Sequence, residues 1–159
     1  MYARDHALIA TPVGAIRIDG DEGMVTGLRI CAEGPPGRGR GAAVREAVVQ
    51  LEQWFAGERR DFDLPLEPAG TARGETLRRG LVAVRYGKTL SYGALARLLR
   101  SAPRAIGQLC ARNPFPILVP CHRILGAGGV LGHYSGGEGP KTKSWLLEHE
   151  RRHAGGSLL

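Results

Sequence analysis

The sequence predicts an α+β protein in which a small antiparallel sheet with one helix precedes a mainly helical part that contains a helix-turn-helix. Short apolar runs alternate with turn residues over the first thirty positions, whereas apolar residues recur at helical spacing further on. The balance of charge also reverses near residues 66–74. These observations predict an N-terminal sheet-and-helix subdomain over residues 1–70 and a second domain over residues 71–159.

The N-terminal elements follow from the spacing of apolar residues. Apolar runs at residues 7–10, 15–18 and 24–30 are separated by turn residues, which is typical of a small antiparallel meander. Between residues 44 and 55, apolar side chains recur every three or four positions, and Gly57 ends the run. This pattern predicts one amphipathic helix across a three-stranded sheet.

Two short helices are predicted in the most basic part of the chain. Ser91 is a favourable N-cap for a helix over residues 92–99, and Ser101 can cap a second helix over residues 103–111. The inward face of the first is assigned to Leu95, Leu98 and Leu99. Short helices joined by a tight connection favour a helix-turn-helix, although helical hairpins that bind no DNA are common. Further helices are predicted over residues 75–84 and 142–151.

The net charge of +7 is concentrated in one segment. Residues 1–72 carry eight Lys/Arg and eleven Asp/Glu, whereas residues 73–123 carry ten Lys/Arg and one Glu. Residues 124–159 contribute a net charge of +1. A basic block indicates a surface for a polyanion, most commonly nucleic acid, and it is equally typical of a solvated basic face.

Cysteine content and hydropathy indicate the compartment. Cys31, Cys110 and Cys121 include no CxxC pair, which argues against a disulfide scaffold and for a reducing environment. The first residues lack the apolar core of a signal peptide, and no run of about 18 apolar residues is present to span a bilayer. We therefore expect a soluble, cytoplasmic protein.

The candidate nucleophile is Cys121, which follows an apolar run at residues 117–119 and Pro120. The run carries the chain inward, so we expect Cys121 at the inner end of a cleft. Most free cysteines are inert core residues, and a thiol with a pKa of about 8.5 is mainly protonated at neutral pH. A cysteine that attacks carbon needs a general base or a nearby positive charge to form its thiolate. His122 could act as the base, and Arg123 could supply the positive charge. Contact between Cys121 and His122 requires a turn after Pro120 or a bridging water, because neighbouring side chains of a strand face opposite ways.

Glu150 is the predicted partner of His122. It shares a face of the predicted C-terminal helix with Leu146 and Leu147, and an inward carboxylate is costly unless it is paired. A relay from Glu150 through His122 and a water to Cys121 is therefore a hypothesis for activating the thiol.

The most specific motif is an Asn-Pro pair, then Pro-Cys-His-Arg, then Tyr-Ser-Gly-Gly. Residues 113–124, which read NPFPILVPCHRI, resemble the active-site signature of the O6-alkylguanine-DNA alkyltransferases, also called methylated-DNA–protein-cysteine methyltransferases. The resemblance covers residues 86–150, with matching segments at 86–87, 91–96, 104–107, 134–137 and 143–150. The N-terminal part agrees only in its general layout of sheet and helix.

The resemblance implies a chemical role for each matching residue. Cys121 is the acceptor thiolate, His122 activates it through water, and Glu150 orients His122. Asn113 braces the turn that holds Cys121. Tyr92 donates a proton or a hydrogen bond to the guanine as it leaves. The pocket for the guanine is lined by Tyr134, Ser135 and Val119.

The resemblance also implies how the protein meets DNA. A damaged base must be flipped out of the duplex to reach a buried thiol, and Arg104 fills the gap that it leaves. Arg104 falls in the first turn of its helix, where a positive charge opposes the helix dipole, and this favours a functional role. The helix-turn-helix docks in the minor groove. The expected DNA-contacting residues are Arg104, Ala105, Gly107, Tyr92 and Arg112.

Together these features predict a single-turnover methylated-DNA–protein-cysteine S-methyltransferase. Its C-terminal domain, residues 71–159, would bind double-stranded DNA containing alkylated guanine and carry the active site. No cofactor, metal or membrane is expected to take part, and we expect a monomer.

The chain departs from the family pattern before the signature, where arginines and glycine replace large apolar residues and the helix-turn-helix is shortened. The departures are Arg73-Gly74, Leu77-Arg78, Val84-Arg85, the shorter segment 91–104, and the bulkier Gln108 and Leu109. We expect the transfer chemistry to be unaffected and the grip on DNA to differ from that of a typical member.

Three alternatives are less well supported. A non-catalytic alkyltransferase-like protein that only binds lesions would lack the acceptor cysteine, which this chain has. A cysteine hydrolase would need an oxyanion hole, and nothing beyond ordinary backbone amides indicates one. A zinc site built from Cys110, Cys121, His122 and His133 lacks paired-ligand spacing.

Overall fold

The computed structural model describes residues 2–156 and separates into two units between Glu67 and Pro68. The sequence placed this boundary slightly later, after residue 70. Among the described residues, no α-helix combines the length and the apolar character that crossing a bilayer requires.

The N-terminal unit is an antiparallel three-stranded sheet with one helix, which confirms the predicted meander. The strands are adjacent in chain order, and Ile16 of the middle strand pairs with Ile9 on one side and Ile30 on the other. The helix packs against the sheet and buries Trp54 completely. The elements are β1 (Asp5–Ile9), β2 (Ile16–Gly20), β3 (Val25–Ile30) and α1 (Ala42–Phe55).

Over its described residues, 68–156, the C-terminal unit contains four α-helices, two 3₁₀ turns (Cys121–Arg123 and Ala127–Gly129) and a short pair of parallel strands. The helices are α2 (Ala72–Val82), α3 (Tyr92–Leu98), α4 (Pro103–Ala111) and α5 (Pro140–Gly156). The strands are β4 (Leu90–Ser91) and β5 (Ile124–Leu125). Both α2 and α5 begin before their predicted first residues, and α5 also ends beyond its predicted last residue.

The predicted helix-turn-helix is present, because α3 and α4 pack against each other across residues 99–102. Ser91 caps α3 as predicted, with its Oγ accepting a hydrogen bond from the Ala94 N–H at 3.0 Å. The predicted cap of α4 was wrong. Ala102, not Ser101, is the N-cap, and Pro103 follows as the first helical residue, where a missing N–H costs nothing.

The predicted inward face of α3 was also partly wrong. Leu95 and Ala96 are buried, whereas Leu98 is 70% exposed. Successive residues of an α-helix are about 100° apart, so a face formed by Leu95, Ala96 and the half-buried Leu99 turns Leu98 outward.

The parallel pair of β4 and β5 joins two distant parts of the C-terminal unit. Leu90 pairs with Ile124, and Ser91 pairs with Leu125. Ser91 caps α3, and Ile124 directly follows Cys121–Arg123. The pair therefore ties the start of α3, where Tyr92 lies, to the segment that carries Cys121. Two-residue strands leave no periodicity in a sequence, and these were not predicted.

Candidate active site

The backbone bends twice just before Cys121. The Val119 N–H donates to the Phe115 carbonyl at 2.9 Å, and the Cys121 N–H donates to the Val119 carbonyl at 2.8 Å. Pro120, with φ −81° and ψ 60°, makes the second bend an inverse γ-turn. Cys121–Arg123 then forms a single 3₁₀ turn. A turn directly after Pro120 was one of the two alternatives that the sequence left open for bringing Cys121 and His122 together.

Asn113 binds this bend from inside. Its Oδ1 accepts from the Phe115 N–H at 2.9 Å, and its Nδ2 donates to the Val119 carbonyl at 3.0 Å and to Cys121 Sγ at 3.4 Å. Within the bend, Ile117 has a φ of 74°, a strained conformation for a β-branched residue that its buried packing maintains. Asn113 therefore occupies a bracing position, and one of its N–H groups is directed at the thiol.

Cys121 is 3% exposed and lines a cavity of about 130 Å³. Four other residues that were predicted from the sequence to belong to the site also line this cavity, namely Tyr92, Gly107, Tyr134 and Ser135. Three further lining residues had not been assigned to it, namely Cys110, Ala111 and His133. Val119 is not part of the lining. Its side chain is buried, and its carbonyl belongs to the bend before Cys121.

Glu150 is the centre of a buried polar network. His122 Nε2 lies 2.7 Å from Glu150 Oε2, and the two side chains are 0% and 1% exposed. The Arg123 guanidinium donates to the same carboxylate at 2.8 and 2.9 Å and to the Val84 carbonyl at 2.7 Å. The Gly87 N–H donates to Glu150 Oε1 at 3.1 Å. The sequence predicted the His122–Glu150 pair and did not predict the hydrogen bonds from Arg123 to the same carboxylate.

The charges in this network follow from burial and hydrogen bonding. Burial alone would raise the pKa of Glu150, but the hydrogen bonds and charges of His122 and Arg123 lower it to about 2. Burial lowers the pKa of His122, against the opposing effect of Glu150. The pair at neutral pH is therefore a carboxylate and a neutral imidazole. Since a carboxylate only accepts hydrogen bonds, Nε2 carries the proton and Nδ1 is the basic nitrogen.

A buried cation that was not predicted from the sequence belongs to the surroundings of the thiol. Lys143 is fully buried, and its ammonium donates to the carbonyls of Ile124 at 2.6 Å and His133 at 3.2 Å. The neighbouring Cys110 thiol and burial raise the pKa of Cys121 well above its ordinary value, and the charge of Lys143 opposes part of that rise. Arg123, which the sequence offered as the nearby positive charge, binds Glu150 instead. One sequence signal could have found Lys143, because it precedes Leu146 by three positions and so shares the inward face of α5.

Four of the five expected DNA-contacting residues lie along α4 or directly after it, and the fifth, Tyr92, is the first residue of α3. Arg104 is exposed in the first turn, and Ala105 follows it half-buried. Arg112 is exposed directly after the helix. Gly107 and Tyr92 also line the cavity that contains Cys121.

The fold and the site define a class of protein that presents a cysteine thiol to a pocket beside a helix-turn-helix, with a buried His–Glu–Arg network behind the thiol. The chain belongs to the 6-O-methylguanine DNA methyltransferase family. The ribonuclease-like domain of that family matches residues 6–68, and its DNA binding domain matches residues 75–152.

Individual relatives agree with this membership. The methylated-DNA–protein-cysteine methyltransferase of Mycolicibacterium paratuberculosis is 35% identical over 161 residues, which cover 97% of this chain and 96% of the relative. A Thermus thermophilus relative named a DNA base-flipping protein is 42% identical over 147 residues, covering 89% of this chain and 97% of the relative. The crystal structure of Mycobacterium tuberculosis OGT in complex with DNA superposes with a TM-score of 0.80 at 35% identity, covering 93% of each chain.

Proposed function

We propose that the protein repairs DNA by moving an alkyl group from O6 of guanine to Cys121, irreversibly and once per molecule. The thiolate attacks the alkyl carbon, so an S–C bond forms while the C–O6 bond breaks, and the bonding electrons leave with the guanine oxygen. The supporting observation is the position of Cys121 on a small cavity, with the Asn113 amide on its sulfur and with His122, the partner of Glu150 from α5, in the same 3₁₀ turn.

The buried network supplies the base for this reaction. His122 takes the thiol proton through a water, and the Glu150 carboxylate stabilises the imidazolium that results. Tyr92 assists the leaving guanine. Burial, followed by the neighbouring thiols of Cys110 and Cys121, raises the pKa of Tyr92, so its hydroxyl keeps its proton and can donate a hydrogen bond to the base.

The substrate in this proposal is double-stranded DNA with an alkylated guanine turned out of the stack. The cavity lies against α4, and Arg104 at the exposed start of α4 takes the place of the flipped base. Arg112 and Ala105 meet the backbone and the minor groove. The protein acts as a monomer in the reducing cytoplasm, where the acceptor thiol stays reduced.

Mass spectrometry tests the proposal directly. The protein is incubated with a duplex oligonucleotide that carries one O6-methylguanine, and intact and peptide masses are measured. We expect one added methyl group, on the peptide that contains Cys121, and no more than one repaired guanine per protein molecule. The same duplex with an unmodified guanine and the variant Cys121→Ser are the controls, and neither should give a methylated protein.

Two results would contradict the proposal. A protein that binds the damaged duplex and gains no mass would be a lesion-binding protein without transfer chemistry. Repair of several guanines by one molecule would exclude a stoichiometric reaction.

A further inference from the structure

Lys143 is a buried cation to which the proposed reaction gives no step. It lies in the first turn of α5, and its side chain is fully buried. The ammonium donates to the Ile124 carbonyl at 2.6 Å and to the His133 carbonyl at 3.2 Å. Burying a charged group is costly unless its hydrogen bonds offset the cost. These two carbonyls therefore identify what Lys143 holds together.

The first carbonyl connects Lys143 to the rigid part of the site. Ile124 belongs to β5, which pairs with β4 and so fixes the start of α3, where Tyr92 lies. The Lys143 ammonium also lies 5.9 Å from the centroid of the Tyr92 ring, within the range of a cation–π contact. Lys143 is thus anchored on the strand pair and beside a side chain that lines the cavity.

The second carbonyl belongs to a wall of the cavity. Residues 133–135, the wall segment, all line the cavity that contains Cys121. They lie in the loop that joins β5 to α5, and several glycines of this loop have a positive φ, namely Gly128, Gly129, Gly132, Gly137 and Gly139. Glycine loses more conformational freedom on folding than any other residue, so the wall segment depends on contacts with the rest of the unit for its position.

The first turn of α5 holds this loop in two places. Near the end of the loop, Thr142 Oγ1 accepts from the Glu138 N–H at 2.9 Å, and the Lys143 N–H donates to the Gly139 carbonyl at 3.0 Å. These two bonds fix residues 138 and 139. The Lys143 side chain reaches further back, to the His133 carbonyl at the start of the wall segment.

Two further observations support the importance of this contact. Ser135 Oγ also ties the wall segment, to the Cys110 carbonyl, but this bond is 3.4 Å long and exposed. A hydrogen bond from a charged donor is about twice as strong as one between neutral groups. A Cβ added at Gly132 would lie 3.7 Å from Lys143 Nζ, so the backbone that leads into the wall segment passes beside the ammonium.

We propose that Lys143 is a positioning residue of the transfer reaction. It fixes the wall segment against which the guanine is held, so that the alkyl carbon lies within reach of Cys121 Sγ. This inference rests on the proposed function. Its effect is on the place of the base, because a displacement of about 1 Å from the reactive geometry can slow a reaction about a hundredfold.

The test compares two reagents for the same thiol in wild type and Lys143→Met. The free base O6-methylguanine must fit against the wall segment, whereas iodoacetamide is a small electrophile without a purine. Peptide masses give the rate at which each reagent modifies Cys121. Lys143→Met keeps an unbranched apolar side chain and removes the ammonium. It should lower the ratio of the O6-methylguanine rate to the iodoacetamide rate by about tenfold or more.

Two further variants complete the test, and thermal melting checks that each is folded. Lys143→Gln retains N–H donors without the charge, so its ratio should lie between those of Lys143→Met and wild type. Lys141→Met is the matched control. Lys141 lies in the same turn of α5, is exposed, and pairs only loosely with Glu138, at 3.5 Å. Both of its rates should equal those of wild type.

Equal slowing of both reagents in Lys143→Met would show that the ammonium acts on the charge of the thiol, and would overturn the inference. A ratio equal to that of wild type would also overturn it. If Lys143→Met does not fold, the same comparison between Lys143→Gln and wild type decides. Wild type that gains no methyl group from a duplex with O6-methylguanine would instead overturn the proposed function.

Discussion

Glu150 accepts hydrogen bonds from His122, Arg123 and the Gly87 N–H while it is 1% exposed. Removing a carboxylate from water costs several kcal/mol, and only this number of donors offsets the cost. The inward position of Glu150 on its helix was enough to predict a partner. The involvement of both His122 and Arg123 was not predictable, because adjacent side chains reach one acceptor only when the backbone turns, as it does at Cys121–Arg123.

At the residue scale, Glu150→Gln should slow single-turnover transfer by about tenfold or more, because the amide cannot stabilise a charged His122. DNA binding should be nearly unchanged. The free energy of unfolding should also fall by about 3–5 kcal/mol, since Arg123 would remain buried without an opposite charge. Transfer rates and urea unfolding measure the two effects.

Glu148→Gln is the control for this substitution. Glu148 pairs with Arg151 and Arg152 on the exposed side of the same helix, and such pairs contribute less than about 1 kcal/mol. Both its rate and its stability should stay close to wild type. A Glu150→Gln protein that transfers at the wild-type rate would show that the relay is wrong.

At the scale of elements, α4 combines three surfaces on one short helix. Ile106 is fully buried in the core, Gly107 and Cys110 line the cavity, and Arg104 is exposed in the first turn. A displacement of this helix would therefore change the DNA surface and the pocket together. This coupling is what a protein needs if a base must pass from a duplex to a buried thiol.

The role of Arg104 can be separated from the chemistry. In Arg104→Ala, transfer from a lesion in a duplex should slow by about tenfold, because no side chain replaces the flipped base. Transfer from the free base O6-methylguanine should be unchanged, since no flipping is required. Arg97→Ala, at an exposed position in the last turn of α3, is the control and should affect both substrates little. Equal slowing of both substrates by Arg104→Ala would contradict the assignment.

Two arginines of α2 that depart from the family pattern, Arg73 and Arg78, have partners outside that helix. Arg73 donates to the carbonyls of Leu99 and Arg100 at 3.3 and 3.2 Å, near the end of α3. The guanidinium of Arg78 lies 5.2 Å from the ring centroid of Phe115. As expected from its sequence, α2 buries few side chains. The contacts of Arg73 and Arg78 replace part of the apolar packing that this helix lacks.

At the scale of the whole molecule, folding separates the basic residues into a buried group and an exposed group. Arg123 and Lys143 are buried and serve Glu150 and the thiols. Arg97, Arg104 and Arg112 are among the exposed arginines of the basic segment, and such residues can meet a phosphate backbone. A count of charges along the chain cannot make this division, because burial is a property of the fold.

The free energy of unfolding of the whole molecule should decrease at acidic pH. The lowered pKa of His122 means that protonation below its ordinary value of 6.5 favours the unfolded chain. The carboxylate of Glu150, with a pKa lowered from 4.5 to about 2, contributes stability that is present above 4.5 and is lost as the pH falls toward 2. This second loss is on the order of 3 kcal/mol.

Urea unfolding at a series of pH values measures this loss. The free energy of unfolding should begin to fall below a pH of about 6.5 and fall further below about 4.5. In Glu150→Gln, the free energy of unfolding should depend less steeply on pH below about 4.5. A wild-type stability that does not change down to a pH of about 3 would contradict the charge states assigned to the network.

The sequence by itself determined the family and the order of elements and predicted which thiol is the acceptor, because each is encoded in residues that are neighbours along the chain. The Pro-Cys-His-Arg segment and the Ser91 cap are local signals, and they hold wherever the chain goes. The tertiary structure alone decided that Cys110 and Cys121 line one cavity, that Arg123 binds Glu150 and that Lys143 supplies a buried positive charge. Those contacts join elements far apart in the chain, and their geometry depends on the bend before Cys121, on a two-residue strand pair and on helix packing, none of which has a periodic signature.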